Sequence, residues 1–143
     1  MANPLLQEAY KTRLFTYGTL KKGGRLDELT KQSKYMGEYF TIHSIFQMRD
    51  YANAFPIVFF DYGQANGKSI KGHLYECDVM AIEMINQMET NAHYTPHIAD
   101  VINEEGLITN ALMFVNCNRG SMADSQLSLR NIIEEKGYQE WQH

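Results

Sequence analysis

Residues 14–23 read Leu-Phe-Thr-Tyr-Gly-Thr-Leu-Lys-Lys-Gly, and this stretch carries the strongest local pattern in the chain. Residues 13–17 predict a short strand, and Gly18 begins a loop that is punctuated by glycines as far as Gly24. A strand that runs directly into glycine and small polar residues exposes backbone N–H groups, which can bind a carboxylate or a carbonyl oxygen. An ordinary glycine turn has the same composition, so the stretch by itself leaves both interpretations open.

Composition and charge argue against several classes of protein. The chain has 143 residues, of which 44% are apolar and 21% charged, and its formal net charge is −4. This size predicts a single domain over residues 1–143. The acidic balance argues against nucleic acid, and the absence of a long apolar run or a signal-peptide pattern predicts a cytoplasmic protein with no membrane partner. Cys77 and Cys117 are too few for a cysteine-ligated zinc site, and we expect free thiols.

The pattern of apolar, β-branched and turn residues predicts more strands than helices. Strands are expected at residues 13–17, 34–48, 55–60, 69–77, 97–102 and 107–116, and helices at residues 25–32, 79–88 and 124–136. Most of the strands follow one another through short turns. The expected fold is therefore α+β, a small mixed or antiparallel β-barrel flanked by two or three helices.

The clearest predicted helix ends next to a glutamate. Asp78 is a plausible N-cap, and one buried stripe is expected from Val79, Ile82, Ile85 and Met88. Glu89 follows at the edge of this stripe, where a carboxylate loses hydration and faces the negative end of the helix dipole. Both effects favour the protonated form and make the carboxylate a stronger base. Many glutamates at helix ends are solvated and inactive, so the position alone does not establish a role.

Two other groups of residues are weaker candidates for a functional site, one for metal binding and one for a catalytic cysteine. Glu89, His93 and His97 are spaced like metal ligands on a helix, but Pro96 interrupts a continuous helix, and we expect no metal site there. Cys77 shares one side of a predicted strand with His73. A buried structural cysteine explains this placement more simply than a catalytic pair does.

Several segments, taken in order, resemble the gamma-glutamylcyclotransferase-like family, also called AIG2-like. They are residues 14–23, Gly37-Glu38, Phe55-Pro56, residues 71–78, and residues 85–89 with Tyr94. The motif Tyr-Gly-Thr-Leu-Lys at residues 17–21 is most similar to the gamma-glutamylamine cyclotransferase branch of the family. Together the segments extend across roughly residues 13–116, and the ordered set is more specific than any single motif.

The resemblance implies an enzyme without cofactor or metal that acts on a small γ-glutamyl compound. Such an enzyme is an intramolecular cyclotransferase, which releases 5-oxoproline and a free amine or amino acid. Glu89 would be its catalytic base. The substrate-binding residues that the resemblance implies are Tyr17, Gly18, Thr19, Leu20 and Tyr94.

The chain departs from the family pattern near the glutamate. Thr90 stands where many members have glycine, and Pro96 stands where an arginine often follows the tyrosine. These differences affect the part of the site that would hold the leaving group, so the substrate stays open, as does the oligomeric state. Two alternatives follow: a non-catalytic module that binds a small metabolite or regulates a partner on the same fold, and an enzyme that removes a γ-glutamyl protecting group.

Overall fold

The structure, a computed structural model, describes residues 8–18, 33–52, 55–61, 67–91, 94–116, 127–135 and 137–142. Its strands in chain order are β1 (Arg13–Thr16), β2 (Lys34–Thr41), β3 (Phe46–Tyr51), β4 (Phe55–Phe60), β5 (Ser69–Glu76), β6 (Tyr94–Ile102), β7 (Ile108–Asn116), β8 (Leu127–Ser128), β9 (Ile132–Glu135) and β10 (Tyr138–Trp141). A 3-10 turn (Ala9–Lys11) precedes β1, and helix α1 (Val79–Asn91) connects β5 to β6.

Five strands close a barrel in the order β1-β7-β6-β2-β5, because β1 pairs with both β7 and β5. The β1–β7 pairing is parallel and the other ladders of the barrel are antiparallel, so the barrel is mixed. A second sheet has the order β4-β3-β8, and β10 extends the barrel beside β5 and pairs with β9. The predicted α+β fold with a mixed barrel is confirmed, and of the two or three flanking helices expected, the described residues contain one.

Successive residues of the barrel strands belong to two hydrophobic clusters. Phe15 and Met113 belong to the larger cluster, which also contains Met48 of the second sheet. Leu14 and Leu112, their neighbours in sequence, belong to the smaller cluster with helix α1. This alternation follows from the two-residue period of a strand. Each fully buried side chain of this size contributes about 1.5–3 kcal/mol, so both faces of β1 and β7 stabilise the fold.

Helix α1 begins at a capping residue and buries one narrow face. The backbone N–H of Ala81 donates to the carboxylate of Asp78 at 3.0 Å, which confirms the predicted N-cap. The buried helix residues are Ile82, Ile85 and Glu89.

The predicted helix stripe is wrong at both ends, where Val79 is 49% and Met88 39% exposed. At 3.6 residues per turn, two residues nine positions apart lie about 180° apart around the axis. Repetition at every third position therefore drifts off the buried face. Glu89 lies seven positions after Ile82 and only about 20° away from it around the axis.

The structure corrects two other predicted elements. The helix expected at residues 124–136 is wrong, because Ile132–Glu135 is a strand that pairs with β10. Asn131, with φ 62, and Gly137, with φ 88, hold left-handed turns that no helix contains. The connection between the predicted helix at residues 79–88 and the predicted strand at residues 97–102 is shorter than expected, since α1 continues to Asn91 and β6 begins at Tyr94.

The extended segment expected at residues 34–48 is two strands, since β2 ends at Thr41 and β3 begins at Phe46. The predicted strand at residues 55–60 is confirmed, as are the two predicted strands that form β6 and β7. Pro56 lies on β4, the edge strand of its sheet, where proline is tolerated. The helical turns expected at residues 25–32 lie outside the described residues. Within the described ranges there is one α-helix, and no helix is long and apolar enough to span a membrane.

Candidate active site

The topology brings one end of several strands together. Because β1 and β7 run parallel, their carboxyl ends lie at the same end of the barrel. The antiparallel strand β6 begins at that end, where Tyr94 lies opposite Asn116. Tyr17 and Gly18, which follow β1 directly, are placed at this end as well. The parallel pairing of β1 with β7 therefore places two predicted site segments, Tyr17–Gly18 and Tyr94, at the same end of the barrel.

Helix α1 carries Glu89 to the same end of the barrel. The helix begins beside the start of β1, where the backbone N–H of Cys77 donates to Thr12 at 2.7 Å. It then runs for 13 residues, a rise of about 20 Å, and Glu89 lies two residues before its end. Ile82 and Ile85 anchor the helix in the smaller cluster. The Glu89 side chain is 9% exposed, so the carboxyl group is largely withdrawn from water.

Tyr17 is the buried centre of the site. Its hydroxyl donates a hydrogen bond to the backbone carbonyl of Phe114 on β7. Burial raises the pKa of Tyr17, and the neighbouring Tyr94 and Glu89 raise it further by electrostatic repulsion. These interactions put Tyr94 and Glu89 each within electrostatic range of Tyr17. Tyr17 consequently stays protonated.

Gly18 is required because of close packing. A Cβ atom at this position would lie 2.5 Å from Cγ and 3.0 Å from Cδ of Pro56, far inside van der Waals contact. The backbone at Gly18 is not among the left-handed conformations of the described residues. The close approach of Pro56, and not freedom in φ, therefore explains the glycine.

Tyr94 contacts the same proline. Its hydroxyl donates to the backbone carbonyl of Pro56 at 3.5 Å, and the residue is half-buried against the smaller cluster. Tyr17 and Tyr94 thus both direct their hydroxyl hydrogens to backbone carbonyls. With the hydrogen so directed, each phenolic oxygen presents lone pairs, which accept hydrogen bonds from a donor.

The chain matches the family described as gamma-glutamyl cyclotransferase, AIG2-like, over residues 14–140. It belongs to this gamma-glutamyl cyclotransferase family. The resemblance found in the sequence is confirmed. No curated protein matches the chain.

Solved structures agree with the family assignment. An uncharacterized protein from Pyrococcus horikoshii is 27% identical with a TM-score of 0.51, and the match covers 73% of this chain and 76% of that one. YkqA from Bacillus subtilis is 26% identical with a TM-score of 0.58, covering 74% of this chain and 36% of that one. An AIG2-like protein from Mus musculus has the same fold, with 19% identity, a TM-score of 0.62, and coverage of 80% and 81%.

In this gamma-glutamyl cyclotransferase family member, the structure brings together four of the six predicted site residues: Tyr17, Gly18, Glu89 and Tyr94. Thr19 and Leu20 lie outside the described residues, as does His93. His97 lies on β6 with its ring edge-to-face on Phe46 and Phe60. Across the described ranges, no group of three His, Cys, Asp or Glu side chains is arranged to hold a metal ion.

The thiol of Cys77 belongs to the core. It lies in the smaller hydrophobic cluster, and burial raises its pKa. His73, the residue that shares one side of the strand with Cys77, has its Nδ1 atom 2.7 Å from the hydroxyl of Tyr35. Cys77 is therefore a buried structural cysteine, and Cys117 lies outside the described residues.

Sequence reasoning assigned no role to Pro56, although it noted the Phe55-Pro56 dipeptide. Pro56 contacts Gly18 and Tyr94, each of which lies 38 positions away from it in the chain. Asn116 is a second residue that it missed, a buried polar side chain opposite Tyr94. A polar residue at the end of an otherwise apolar strand was the available signal for Asn116.

Proposed function

We propose that this protein is an intramolecular cyclotransferase that releases 5-oxoproline and a free amine or amino acid from a γ-glutamyl compound. The observation that carries the proposal is the buried carboxyl group of Glu89 within electrostatic range of the buried Tyr17, which Tyr94 also neighbours. A base in this environment suits proton transfer, and membership of the family supports this class of chemistry.

The reaction needs little beyond positioning. The α-amine of the γ-glutamyl group attacks its own γ-carbonyl carbon, a C–N bond forms, and the bond to the leaving nitrogen breaks. Because the nucleophile is tethered to its target, the protein has to fold the substrate into attack geometry. Glu89 takes a proton from the α-ammonium group and later gives a proton to the leaving nitrogen. One carboxyl group is sufficient for both transfers.

The two tyrosines and the loop would orient the substrate. The phenolic oxygens of Tyr17 and Tyr94 accept hydrogen bonds, which suits a substrate ammonium group with its several N–H donors. The backbone N–H groups of residues 17–20 would hold the α-carboxylate or the developing oxyanion. Thr19 and Leu20 enter this proposal from the sequence alone.

The test is release of 5-oxoproline from a panel of γ-glutamyl amines, γ-glutamyl amino acids and glutathione. We expect the wild-type protein to turn over at least one of them, and the Glu89→Gln variant to lose about 10²–10⁴-fold in kcat. The matched control is Glu83→Gln, which changes an exposed glutamate of the same helix and retains full activity. Full activity in Glu89→Gln would overturn the catalytic role. A compound that binds without releasing 5-oxoproline would instead identify a binding module.

A further inference from the structure

Pro56 contacts two separate parts of the candidate site, although it lies on β4, outside the barrel. We propose that Pro56 is a positioning residue that fixes the Tyr17–Gly18 loop relative to Tyr94. The inference rests on the proposed function for its kinetic readout. Its structural content concerns the geometry of the loop and is testable without any substrate.

The first contact is steric. The ring of Pro56 lies so close to Gly18 that even one added methyl group would meet Cγ at 2.5 Å and Cδ at 3.0 Å. A proline ring is closed onto its own backbone and cannot swing away as a flexible side chain does. The ring therefore limits how far the backbone at Gly18 can move toward β4.

The second contact is polar. The backbone carbonyl of Pro56 accepts a long hydrogen bond from the hydroxyl of Tyr94, with 3.5 Å between the two oxygen atoms. In an antiparallel strand the N–H and C=O of one residue point to the same side. The N–H that proline lacks would therefore point toward Tyr94 as a competing donor. Proline at this position therefore presents its carbonyl, and no N–H of its own, on the side that faces Tyr94.

The pairing and burial of β4 hold Pro56 in a fixed position. Pro56 lies opposite Asp50 in the β3–β4 ladder, and the next two residues, Ile57 and Val58, are completely buried. The ring and the carbonyl belong to one residue with a fixed φ. A shift of β4 would therefore move the supports of Gly18 and Tyr94 together, so that one residue sets the geometry on both sides of the site.

The kinetic test is a double-mutant cycle on KM and kcat. Gly18→Ala introduces the clash with the ring, and we expect KM to rise about tenfold with kcat much less affected. Pro56→Ala removes Cγ and Cδ and leaves only Cβ, 3.9 Å from the added methyl group. The double variant Gly18→Ala/Pro56→Ala is thus expected to recover most of the affinity lost in Gly18→Ala. Additive losses, with no recovery, would overturn the proposal.

Gly72 provides the matched control for this recovery. A Cβ at Gly72 would lie 2.1 Å from the backbone oxygen of Thr16, a clash that Pro56 does not cause. Gly72→Ala is therefore expected to be impaired equally with and without Pro56→Ala. Recovery of Gly72→Ala as well would show a general effect of the proline substitution and would contradict a specific contact with Gly18.

A substrate-free measurement separates this inference from the proposed function. In two-dimensional NMR spectra, Pro56→Ala should shift the backbone amide signals of both Gly18 and Tyr94. Unchanged signals would overturn the positioning role even in an active enzyme. If the wild-type protein releases no 5-oxoproline, the proposed function fails and these shifts still decide the inference. Pro56→Val, which suits a strand, replaces Pro56→Ala if the latter does not fold.

Discussion

The hydroxyl of Tyr17 donates a hydrogen bond to the backbone carbonyl of Phe114, and this bond joins the ends of β1 and β7. The two strands pair in parallel through a single register position, Leu14 with Leu112. A side-chain bond at their ends therefore supports a short ladder. It also fixes the direction of the Tyr17 hydroxyl, so the bond is part of both the fold and the candidate site.

Removal of this hydroxyl is expected to weaken both stability and activity. Tyr17→Phe leaves the carbonyl of Phe114 without its tyrosine donor in a buried place, which costs about 1–3 kcal/mol in free energy of unfolding. The variant also loses one acceptor beside Glu89, so kcat/KM should fall even where the protein is fully folded. Urea unfolding and 5-oxoproline release measure the two effects. Tyr138→Phe, at an exposed hydroxyl, is the control; equal stability of both variants would contradict the prediction.

Local patterns were sufficient for much of the barrel. The alternation of β6 and β7 with a short polar turn, and the apolar run of β4, have signals within a few residues. The C-terminal segment has no such signal, because Ile132–Glu135 becomes a strand only by pairing with Tyr138–Trp141. The spacing of its apolar residues also fits a helix, but pairing with Tyr138–Trp141 overrides this local helix preference. The left-handed backbone of Asn131 is likewise invisible in composition.

The site residues were predictable one by one, but their arrangement was not. The sequence predicts Glu89 at the edge of the buried helix stripe, next to Met88. In the structure Glu89 lies on the buried face itself, because a residue seven positions after Ile82 is only about 20° away from it around the helix axis. The contact between Gly18 and Pro56 depends on how the second sheet packs on the barrel. Such contacts between distant segments are not encoded in any local pattern.

The N-cap of helix α1 gives a prediction that separates stability from chemistry. Asp78→Ala removes the acceptor for the N–H of Ala81 and should cost about 1 kcal/mol in free energy of unfolding. Asp78 lies at the opposite end of the helix from Glu89, so activity per folded molecule should stay unchanged. Chemical denaturation and 5-oxoproline release test both statements, and Asp78→Asn, which retains a capping oxygen, is the control. A loss of kcat in a fully folded Asp78→Ala would contradict this separation.

The burial of Cys77 predicts an inert thiol. Its pKa is raised chiefly by desolvation, so little of the reactive thiolate is present at neutral pH. In a Cys117→Ser background, iodoacetamide should modify Cys77 slowly in the native protein and rapidly after unfolding in urea. Cys77→Ala should retain catalytic activity. Rapid native alkylation together with loss of activity in Cys77→Ala would instead favour a nucleophilic cysteine.

His97 predicts a loss of stability in mild acid. Burial against Phe46 and Phe60 lowers the pKa of His97 from 6.5. The neighbouring His43 lowers this pKa further, and the opposing effect of Asp100 does not reverse the shift. The folded protein therefore binds this proton less readily than the unfolded chain. The contribution of neutral His97 is complete above pH 6.5 and is lost as the pH falls below it. The midpoint of urea unfolding, measured at about pH 7 and about pH 5, should fall less in His97→Gln than in the wild type. An equal fall in both proteins would show that other groups cause the acid sensitivity.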